Sequence, residues 1–440
     1  MRGYSKKSIA IIVAVIIIAV IMLSLLVALP IALDEKKAII ILPGIIASGL
    51  LDNKTGQPIW APFQTDYVLG DFFDPDVSTK MIFSLALQAM QGGEDSILSQ
   101  IINKSDNSII KKLHCDEDGN PIYPHIVPAT MDYEGNQKYG ALQAYRDIYE
   151  DLNNRYSSEY DVIVFNYDWR LDNRNSAEKL ENFINDKKYE KVIIASHSMG
   201  NLVATNYFAR SQANRDKVIG HISLAAPYYG SIMALTLLDT LEEMIYDIIG
   251  NLPDIVSGSM LDIAEDQFLP LAANLTTVFQ LLPMIELVST PQVESSFLKV
   301  DGVSITTREE LIEFYSSRDW AKKSDGSLRK AVAELEEYWD SFLVESNGKK
   351  VHASTLVNTI YYAGNDYKTE NVVNITSGNI STVEHSYQGD GTVQLYSALL
   401  GNSVEDTNVV IISDCDHFGC GNSFGEELEK SVFDFIDSIK

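Results

Sequence analysis

The sequence predicts an α/β fold in which helices flank a mostly parallel sheet. Short apolar runs of strand length alternate with segments of helical spacing, and one such strand runs through Ser198 directly into a helix. Strands that alternate with helices usually pair in parallel, because each helix carries the chain back across the sheet.

Six predicted strands and four predicted helices carry this pattern. The strands are Ala38–Leu42, Asp161–Phe165, Val192–Ala195, Val218–Ala226, Thr359–Ala363 and Asn408–Ile412. The helices are Leu142–Tyr156, Ala177–Asn185, the segment that follows Ser198, and Glu426–Ile439. The apolar residues of Leu142–Tyr156 recur at helical spacing, which predicts one buried face.

The run Lys191-Val-Ile-Ile-Ala-Ser-His-Ser-Met-Gly200 is the most informative stretch of the chain. Its strand, turn and helix match the nucleophile elbow of α/β-hydrolases, in which a strained turn exposes a serine hydroxyl. Ser196 stands where the G-x-S-x-G motif has its first glycine, and a small residue suffices there. The sequence therefore predicts an α/β-hydrolase fold with Ser198 as the nucleophile.

A second match, Gly421-Asn-Ser-Phe-Gly425, fits the motif letter for letter. No apolar strand leads into it, and the chain ends at Lys440, too soon for an acid and a histidine to follow Ser423 in the order that this fold uses. We therefore interpret Ser423 as the start of the last helix.

Two insertions are predicted within the hydrolase domain, which we place at 34–440. The first insertion, at about 50–135, contains many helix breakers, which suggest loops and short helices. The second, at about 231–345, contains the apolar segments Ile232–Ile249 and Phe268–Val288, which look like amphipathic helices. These two segments form either ordinary core or a lid over an apolar pocket.

The first 33 residues are predicted to be a short cytoplasmic tip and a membrane anchor. Residues 9–33 carry no charge, and a spanning helix needs about 20 apolar residues. Arg2, Lys6 and Lys7 precede them, which favours a cytoplasmic N-terminus. We expect residues 8–33 to anchor a catalytic domain outside the cytoplasm; the alternative is a cleaved signal peptide and a secreted protein.

Charge and cysteine content exclude several classes of function. The first 33 residues hold three basic and no acidic side chains, so residues 34–440 carry 31 basic against 61 acidic ones, a net charge of −30. A domain with this large negative charge is not expected to bind nucleic acid, whose phosphates are also negative. Of the cysteines Cys115, Cys415 and Cys420, only the last two are close enough in sequence to suggest a bridge, and this pairing stays open. The sequence implies no metal and no cofactor.

A serine nucleophile needs a histidine base and an acid that orients the histidine. His417 follows the last predicted strand and precedes the last helix, where the base of this fold belongs. Asp390 lies between the last two strands and is the predicted acid. The alternatives are His385 for the base, and Asp366, Glu384, Asp406, Asp414 and Asp416 for the acid.

Two backbone N–H groups are predicted to stabilise the oxyanion. One belongs to Met199, which follows the nucleophile, and the other to Ile45, in the loop after the first strand. Gly44 lets the backbone turn sharply at that loop.

Several motifs together resemble the lecithin:cholesterol acyltransferase family, which includes lysosomal phospholipase A2. They are Leu42-Pro-Gly44, Tyr167-Asp-Trp-Arg170, Ser196-His-Ser-Met-Gly-Asn201, Gly230-Ser231, Gly389-Asp-Gly-Thr-Val393 and Asp416-His-Phe418. The resemblance implies the same triad and oxyanion donors. It also places Asp168 and Arg170 beside the site, as substrate contacts or as a structural ion pair, and Trp60 in an acyl pocket or in a packed loop.

The expected function is that of a serine hydrolase or acyltransferase acting on lipid esters, such as phospholipids or acylglycerols, through an acyl-enzyme. One alternative is an esterase of small or polymeric esters. Another is a surface binding module on a hydrolase scaffold, without catalysis. The sequence identifies no protein partner.

Overall fold

The computed structural model of the chain describes residues 35–60, 109–250, 269–287, 296–422 and 425–439. The predicted membrane anchor over 8–33 and Ser423 lie outside these residues. Among the described residues, no helix is both long and apolar enough to span a bilayer. The chain divides into two units, Met1–Lys36 and Lys37–Lys440, and every element given below belongs to the second.

The strands form one large sheet and several small ones. They are β1 Lys37–Leu42, β2 Leu50–Asp52, β3 Pro58–Trp60, β4 Ile126–Pro128, β5 Asp161–Val164, β6 Lys191–His197, β7 Val218–Leu224, β8 Leu298–Val300, β9 Val303–Ser304, β10 Leu343–Ser346, β11 Lys349–His352, β12 Thr359–Gly364, β13 Thr369–Thr376, β14 Asn379–Ser386 and β15 Val409–Ile412. The large sheet has the order β15-β12-β7-β6-β1-β5, and its neighbouring strands are all parallel. Its members are the six strands predicted from the sequence, with small shifts at their ends.

The helices lie mainly in the connections between strands. They are α1 Ile109–Lys112, α2 Tyr133–Tyr139, α3 Arg146–Tyr156, α4 Asn173–Asp186, α5 Gly200–Arg210, α6 Gln212–Lys217, α7 Ile232–Gly250, α8 Leu269–Ala273, α9 Thr276–Gln280, α10 Arg308–Ser317, α11 Lys330–Ala333, α12 Leu335–Asp340, α13 Leu395–Ala398, α14 Gly419–Asn422 and α15 Glu426–Ser438. Short 3₁₀ turns occur at Ala141–Gln143, Ile285–Leu287, Asp319–Ala321 and Ala353–Leu356.

The sequence of β1 explains why the sheet is covered on both faces. Ala38, Ile40 and Leu42 point into a core that also contains apolar residues of α4 and α5. Ile39 and Ile41 point into a second core that contains residues of α3 and α15. Because successive side chains of a strand alternate between faces, a strand that is apolar throughout requires cover on both sides. The chain therefore has an α/β-hydrolase-like fold with a parallel central sheet.

The first predicted insertion differs from the expectation of loops and short helices alone. In its described part, β2 pairs antiparallel with β3 and with β4. Each of these strands has three residues, too few to show the alternating pattern by which strands are recognised in sequence. β3 follows β2 after a short turn, whereas β4 comes from a distant part of the chain.

The second predicted insertion is helical only in part. Ile232–Gly250 forms one helix as expected, but the apolar segment 268–288 is divided between α8, α9 and a 3₁₀ turn in its described residues. Pro283 lies just past the end of α9, and proline lacks the N–H that a helix interior needs. Phe279 and Leu282 are buried in the first core, which fits ordinary packing for these two residues.

Candidate active site

Ser198 lies at the sharp turn between β6 and α5, at the carboxyl edge of the central sheet. Its φ is +51°, a left-handed conformation that residues with a side chain seldom adopt. Its N–H donates to the Leu224 carbonyl at 2.9 Å. A Cβ on Gly200 would lie 2.4 Å from the Leu42 carbonyl oxygen, so the last position of the motif admits only glycine. The local geometry is that of a nucleophile elbow.

The side chain of Asn201 braces this turn from within α5. Its amide nitrogen lies 3.0 Å from the carbonyl oxygen of Ser196, 3.1 Å from that of Ser198 and 3.1 Å from that of Leu224. Asn201 is completely buried. These contacts tie the end of β6, the turn and the end of β7 together, and they help to hold the strained serine in place.

The structure brings Ser198, His417 and Asp390 into one hydrogen-bonded chain. Nε2 of His417 lies 2.8 Å from Oγ of Ser198, and Nδ1 of His417 lies 2.8 Å from Oδ2 of Asp390. The His417 side chain is 12% exposed and that of Asp390 only 1%. An accessible histidine between a serine and a buried carboxylate is the arrangement that activates a serine hydroxyl.

Asp390 reaches this position although a hairpin separates it from β12. The hairpin is formed by β13 and β14, after which the chain returns to the end of β12. A Cβ on Gly364, the last residue of β12, would lie 2.9 Å from Cβ of Asp390. Oδ1 of Asp390 accepts the N–H groups of Thr392 and Val393 at 2.9 and 2.7 Å, which leaves Oδ2 for the histidine.

Two of the alternative acids, Asp414 and Asp416, and the alternative base His385 occupy other places. Asp414 and Asp416 are exposed, and Asp416 accepts the Gly419 N–H at 2.6 Å. His385 is exposed on β14. Within the described part of the chain, none of the three side chains hydrogen-bonds to Ser198 or His417.

The predicted oxyanion loop lies against the nucleophile. A Cβ on Gly44 would lie 3.1 Å from Cβ of Ser198. As far as the described residues extend, the N–H groups of Ile45 and Met199 donate to no protein acceptor, so both are available to an oxyanion. The next residue, Ile46, has a φ of +58°, which is strained for a β-branched side chain.

The indole of Trp60 supports this strained loop. Its Nε1 donates to the Ile46 carbonyl at 2.6 Å, and its ring centroid lies 5.5 Å from that of Trp169. Trp60 is half-buried. These contacts correspond to the packed-loop interpretation, and contact with an acyl chain stays a prediction.

Asp168 and Arg170 form a buried ion pair. The two side chains are 4% and 0% exposed, and Nη2 of Arg170 lies 2.8 Å from Oδ2 of Asp168. The guanidinium also donates to the carbonyl groups of Leu113 and Ile126, at 3.4 and 3.1 Å. This placement fits the structural interpretation, and contact of either residue with substrate stays a prediction.

Cys415 and Cys420 flank the histidine in sequence and meet in space. Their sulfurs lie 2.8 Å apart, and both residues are free thiols in the structure, as is Cys115. The hydrogen bond to Cys415 and burial raise the pKa of the Cys420 thiol well above its usual range. Among the described residues, no group of three or more His, Cys, Asp or Glu side chains is arranged to hold a metal ion.

Comparison with known families adds to this geometry. Residues 132–251 match the family model described as lecithin:cholesterol acyltransferase. The matched segment covers 120 of the 440 residues. This segment includes Ser198, Met199, Asp168 and Arg170, and it confirms the resemblance predicted from the motifs. The match identifies the chain as an enzyme of the carboxylic ester hydrolase or acyltransferase class.

Two solved structures are similar to the chain. A chain in the crystal structure of the Tle4–Tli4 complex is 14% identical, with a TM-score of 0.49, over 92% of this chain and 98% of that one. The mature form of the Bacillus licheniformis lipase BlEst2 is 14% identical, with a TM-score of 0.28, over 68% of this chain and 86% of that one. No curated protein was found to match the sequence.

Proposed function

We propose that the protein is a serine hydrolase or acyltransferase of lipid esters, anchored in the cell membrane with its catalytic domain outside the cytoplasm. The observation that supports it is the hydrogen-bonded chain from Ser198 through His417 to Asp390, with 2.8 Å at each step. The family match at 132–251 supports ester chemistry independently of that geometry.

In the proposed mechanism, Oγ of Ser198 attacks the ester carbonyl carbon while Nε2 of His417 takes the hydroxyl proton. The carboxylate of Asp390 stabilises the imidazolium that forms. The N–H groups of Met199 and Ile45 stabilise the negative oxygen of the tetrahedral intermediate. His417 then returns the proton to the departing alcohol as the carbon–oxygen bond breaks, and an acyl-serine remains.

The second half of the reaction repeats these steps with a new nucleophile. Water or an alcohol gives its proton to His417 and attacks the acyl-serine, and the tetrahedral intermediate collapses with return of the proton to Ser198. Water yields a fatty acid, whereas an alcohol yields a new ester. The same residues therefore serve hydrolysis and acyl transfer, and the acceptor decides the product.

A lipid substrate is supported by the family and by the predicted membrane segment. Residues 8–33 would hold the catalytic domain close to a bilayer, where phospholipids or acylglycerols are concentrated. The apolar segments 232–249 and 268–288 would cover an acyl chain if they form a lid. An esterase of small or polymeric esters, or a binding module without catalysis, would use the same scaffold for a different purpose.

The test uses the full-length chain in nonionic detergent, as wild type and as Ser198→Ala. Fatty-acid release from phosphatidylcholine mixed micelles and hydrolysis of a short nitrophenyl ester are measured in parallel. Release of fatty acid by the wild type and its loss in the variant support the proposal, and added alcohols then test acyl transfer. Short-ester activity alone favours the esterase. A folded protein without either activity favours the binding module.

A further inference from the structure

His197, which immediately precedes the nucleophile, connects two parts of the site that are far apart in sequence. Its Nδ1 lies 2.7 Å from the hydroxyl of Tyr145, and its Nε2 lies 2.8 Å from the carbonyl oxygen of His417. The hydroxyl of Tyr145 also accepts the N–H of Gly44 at 2.8 Å. A continuous path of hydrogen bonds thus runs from the oxyanion loop to the backbone of the histidine base.

The direction of each bond follows from the groups present. The His417 carbonyl only accepts, so Nε2 of His197 donates to it. The Gly44 N–H only donates, so the Tyr145 oxygen accepts from it. A neutral His197 with its proton on Nε2 has a lone pair on Nδ1, and the Tyr145 hydroxyl donates to that lone pair.

The surroundings keep His197 in this state and orientation. The residue is buried, and burial together with the charge of His417 lowers the pKa of His197 to about 3. Its ring packs against Gly421, where a Cβ would come within 2.2 Å of the imidazole. A side chain at position 421 would displace the ring, so this glycine makes room for it.

We propose that Tyr145 and His197 are positioning residues that hold the Gly44–Ile45 loop and His417 in a fixed arrangement around Ser198. This inference rests on the proposed function, because it assigns the two residues to the same reaction. Tyr145 fixes the peptide that leads to the Ile45 N–H, and His197 fixes the backbone of the base. Neither side chain touches the substrate.

The first test is Tyr145→Phe, which removes one hydroxyl and both of its hydrogen bonds. The oxygen becomes negative only in the transition state and the tetrahedral intermediate, and not in the bound substrate, so misplacing its donor lowers kcat while KM changes little. We expect kcat for the nitrophenyl ester to fall about 10- to 100-fold, somewhat less than the loss of a whole oxyanion donor. Unchanged kcat, or a change confined to KM, would overturn the proposal.

Tyr189→Phe is the matched control. Tyr189 is also buried and its hydroxyl donates to Oδ2 of Asp161 at 2.7 Å. It precedes β6, at the edge of the sheet opposite the nucleophile. This variant loses a buried tyrosine hydroxyl without touching the path, and we expect its kcat to equal that of the wild type. Equal losses of kcat in the two variants would mean that Tyr145 acts only through general stability.

Substitution of His197 separates the two halves of the path. His197→Gln places an amide N–H near the position of Nε2 and retains the donor to His417. His197→Asn places an amide oxygen near the position of Nδ1 and retains the acceptor for Tyr145. We expect His197→Leu to have the lowest kcat and the two amide variants to recover part of it. Equal kcat in the leucine and amide variants would contradict a hydrogen-bonding role.

A measurement that needs no enzyme activity separates failure of this inference from failure of the proposed function. Amide hydrogen exchange is followed by mass spectrometry on peptides that contain residues 43–48 and 414–421. We expect faster exchange of both peptides in Tyr145→Phe and in His197→Leu, and wild-type exchange in Tyr189→Phe. If the wild type hydrolyses no ester, the proposed function fails; if exchange is unchanged in both variants, the path does not hold the loops and this inference fails.

Discussion

The hydroxyl of Ser196 donates to Oδ1 of Asn201 at a distance of 2.6 Å. The same hydroxyl oxygen lies 2.7 Å from Nε2 of His221, which must donate to it because the one Ser196 proton is already used. All three side chains are buried, and the amide nitrogen of Asn201 holds the nucleophile turn. The serine that replaces the first glycine of the motif therefore supports the residue that braces the elbow.

Ser196→Gly restores the common form of the motif and should nevertheless destabilise the protein. The substitution leaves Oδ1 of Asn201 without its donor and Nε2 of His221 without its acceptor, and each buried group left without a partner costs about 1–3 kcal/mol. Glycine in a strand adds about 0.5–1 kcal/mol through its backbone freedom. Urea unfolding measures the sum, and Ser196→Ala isolates the loss of the hydroxyl. A glycine variant as stable as the wild type would show that this network contributes nothing.

The central sheet and the order of the predicted triad could be read from the sequence for one physical reason. Strands of a parallel sheet are buried on both faces, so they appear as continuous apolar runs that stand out from their surroundings. The carboxyl ends of such strands meet at one edge. Ser198 and His417 each follow such a strand, and Asp390 lies in the chain between the last two of them, so the three could be predicted to meet without knowledge of any side-chain contact.

Contacts between residues that are far apart in sequence could not be predicted in this way. His197 occupies a variable position of the motif, and its partners Tyr145 and His417 are 52 and 220 residues away. The hairpin between β12 and Asp390 belongs to a separate sheet that also includes β8 and β9. The local pattern of apolar residues does not indicate which segments pair in such a sheet.

Asp390→Asn tests the acid of the proposed triad. The substitution retains the shape but puts an amide beside His417, so the imidazolium loses its counter-charge and its tautomer is no longer fixed. We expect kcat for the nitrophenyl ester to fall about 10⁴-fold, the size known for such a change in another serine enzyme.

Asp414→Asn is the control for Asp390→Asn. Asp414 lies in the loop of His417, is exposed, and has a φ of +52°, a conformation that asparagine tolerates well. We expect wild-type kcat for this variant. Loss of activity in Asp414→Asn with retention in Asp390→Asn would transfer the role of the acid to the histidine loop.

Arg170→Met tests whether the buried ion pair is structural. It leaves the Asp168 carboxylate buried without its cation, which typically costs about 3–5 kcal/mol. Arg210→Met is the comparison, because Arg210 pairs with Glu181 at side-chain exposures of 37% and 21% and such pairs contribute about 0–1 kcal/mol. Urea unfolding gives both values. If Arg170 instead contacts substrate, KM will rise at temperatures where the variant is fully folded.

Both ring nitrogens of His352 are buried. Within the described part of the chain, neither Nδ1 nor Nε2 has a hydrogen-bond partner. The residue as a whole is half-buried, but its ring lies between Tyr228 and Phe342, with centroids at 5.4 and 5.6 Å. Burial lowers the pKa of His352 to about 3, so it stays neutral in the folded protein at ordinary pH.

His352→Phe should therefore stabilise the protein, and more so in acid. At pH 7 the variant no longer buries two unpaired nitrogens, and we expect a gain of about 1–3 kcal/mol in the free energy of unfolding. Below the unfolded pKa of about 6.5, the unfolded wild type binds a proton that the folded form does not bind until about pH 3. The wild type therefore loses stability as the pH falls through this window, because its unfolded state takes up a proton and its folded state does not. Urea unfolding at pH 7 and pH 5 should show the gap between variant and wild type widening; a constant gap would mean that His352 is protonated in the folded protein.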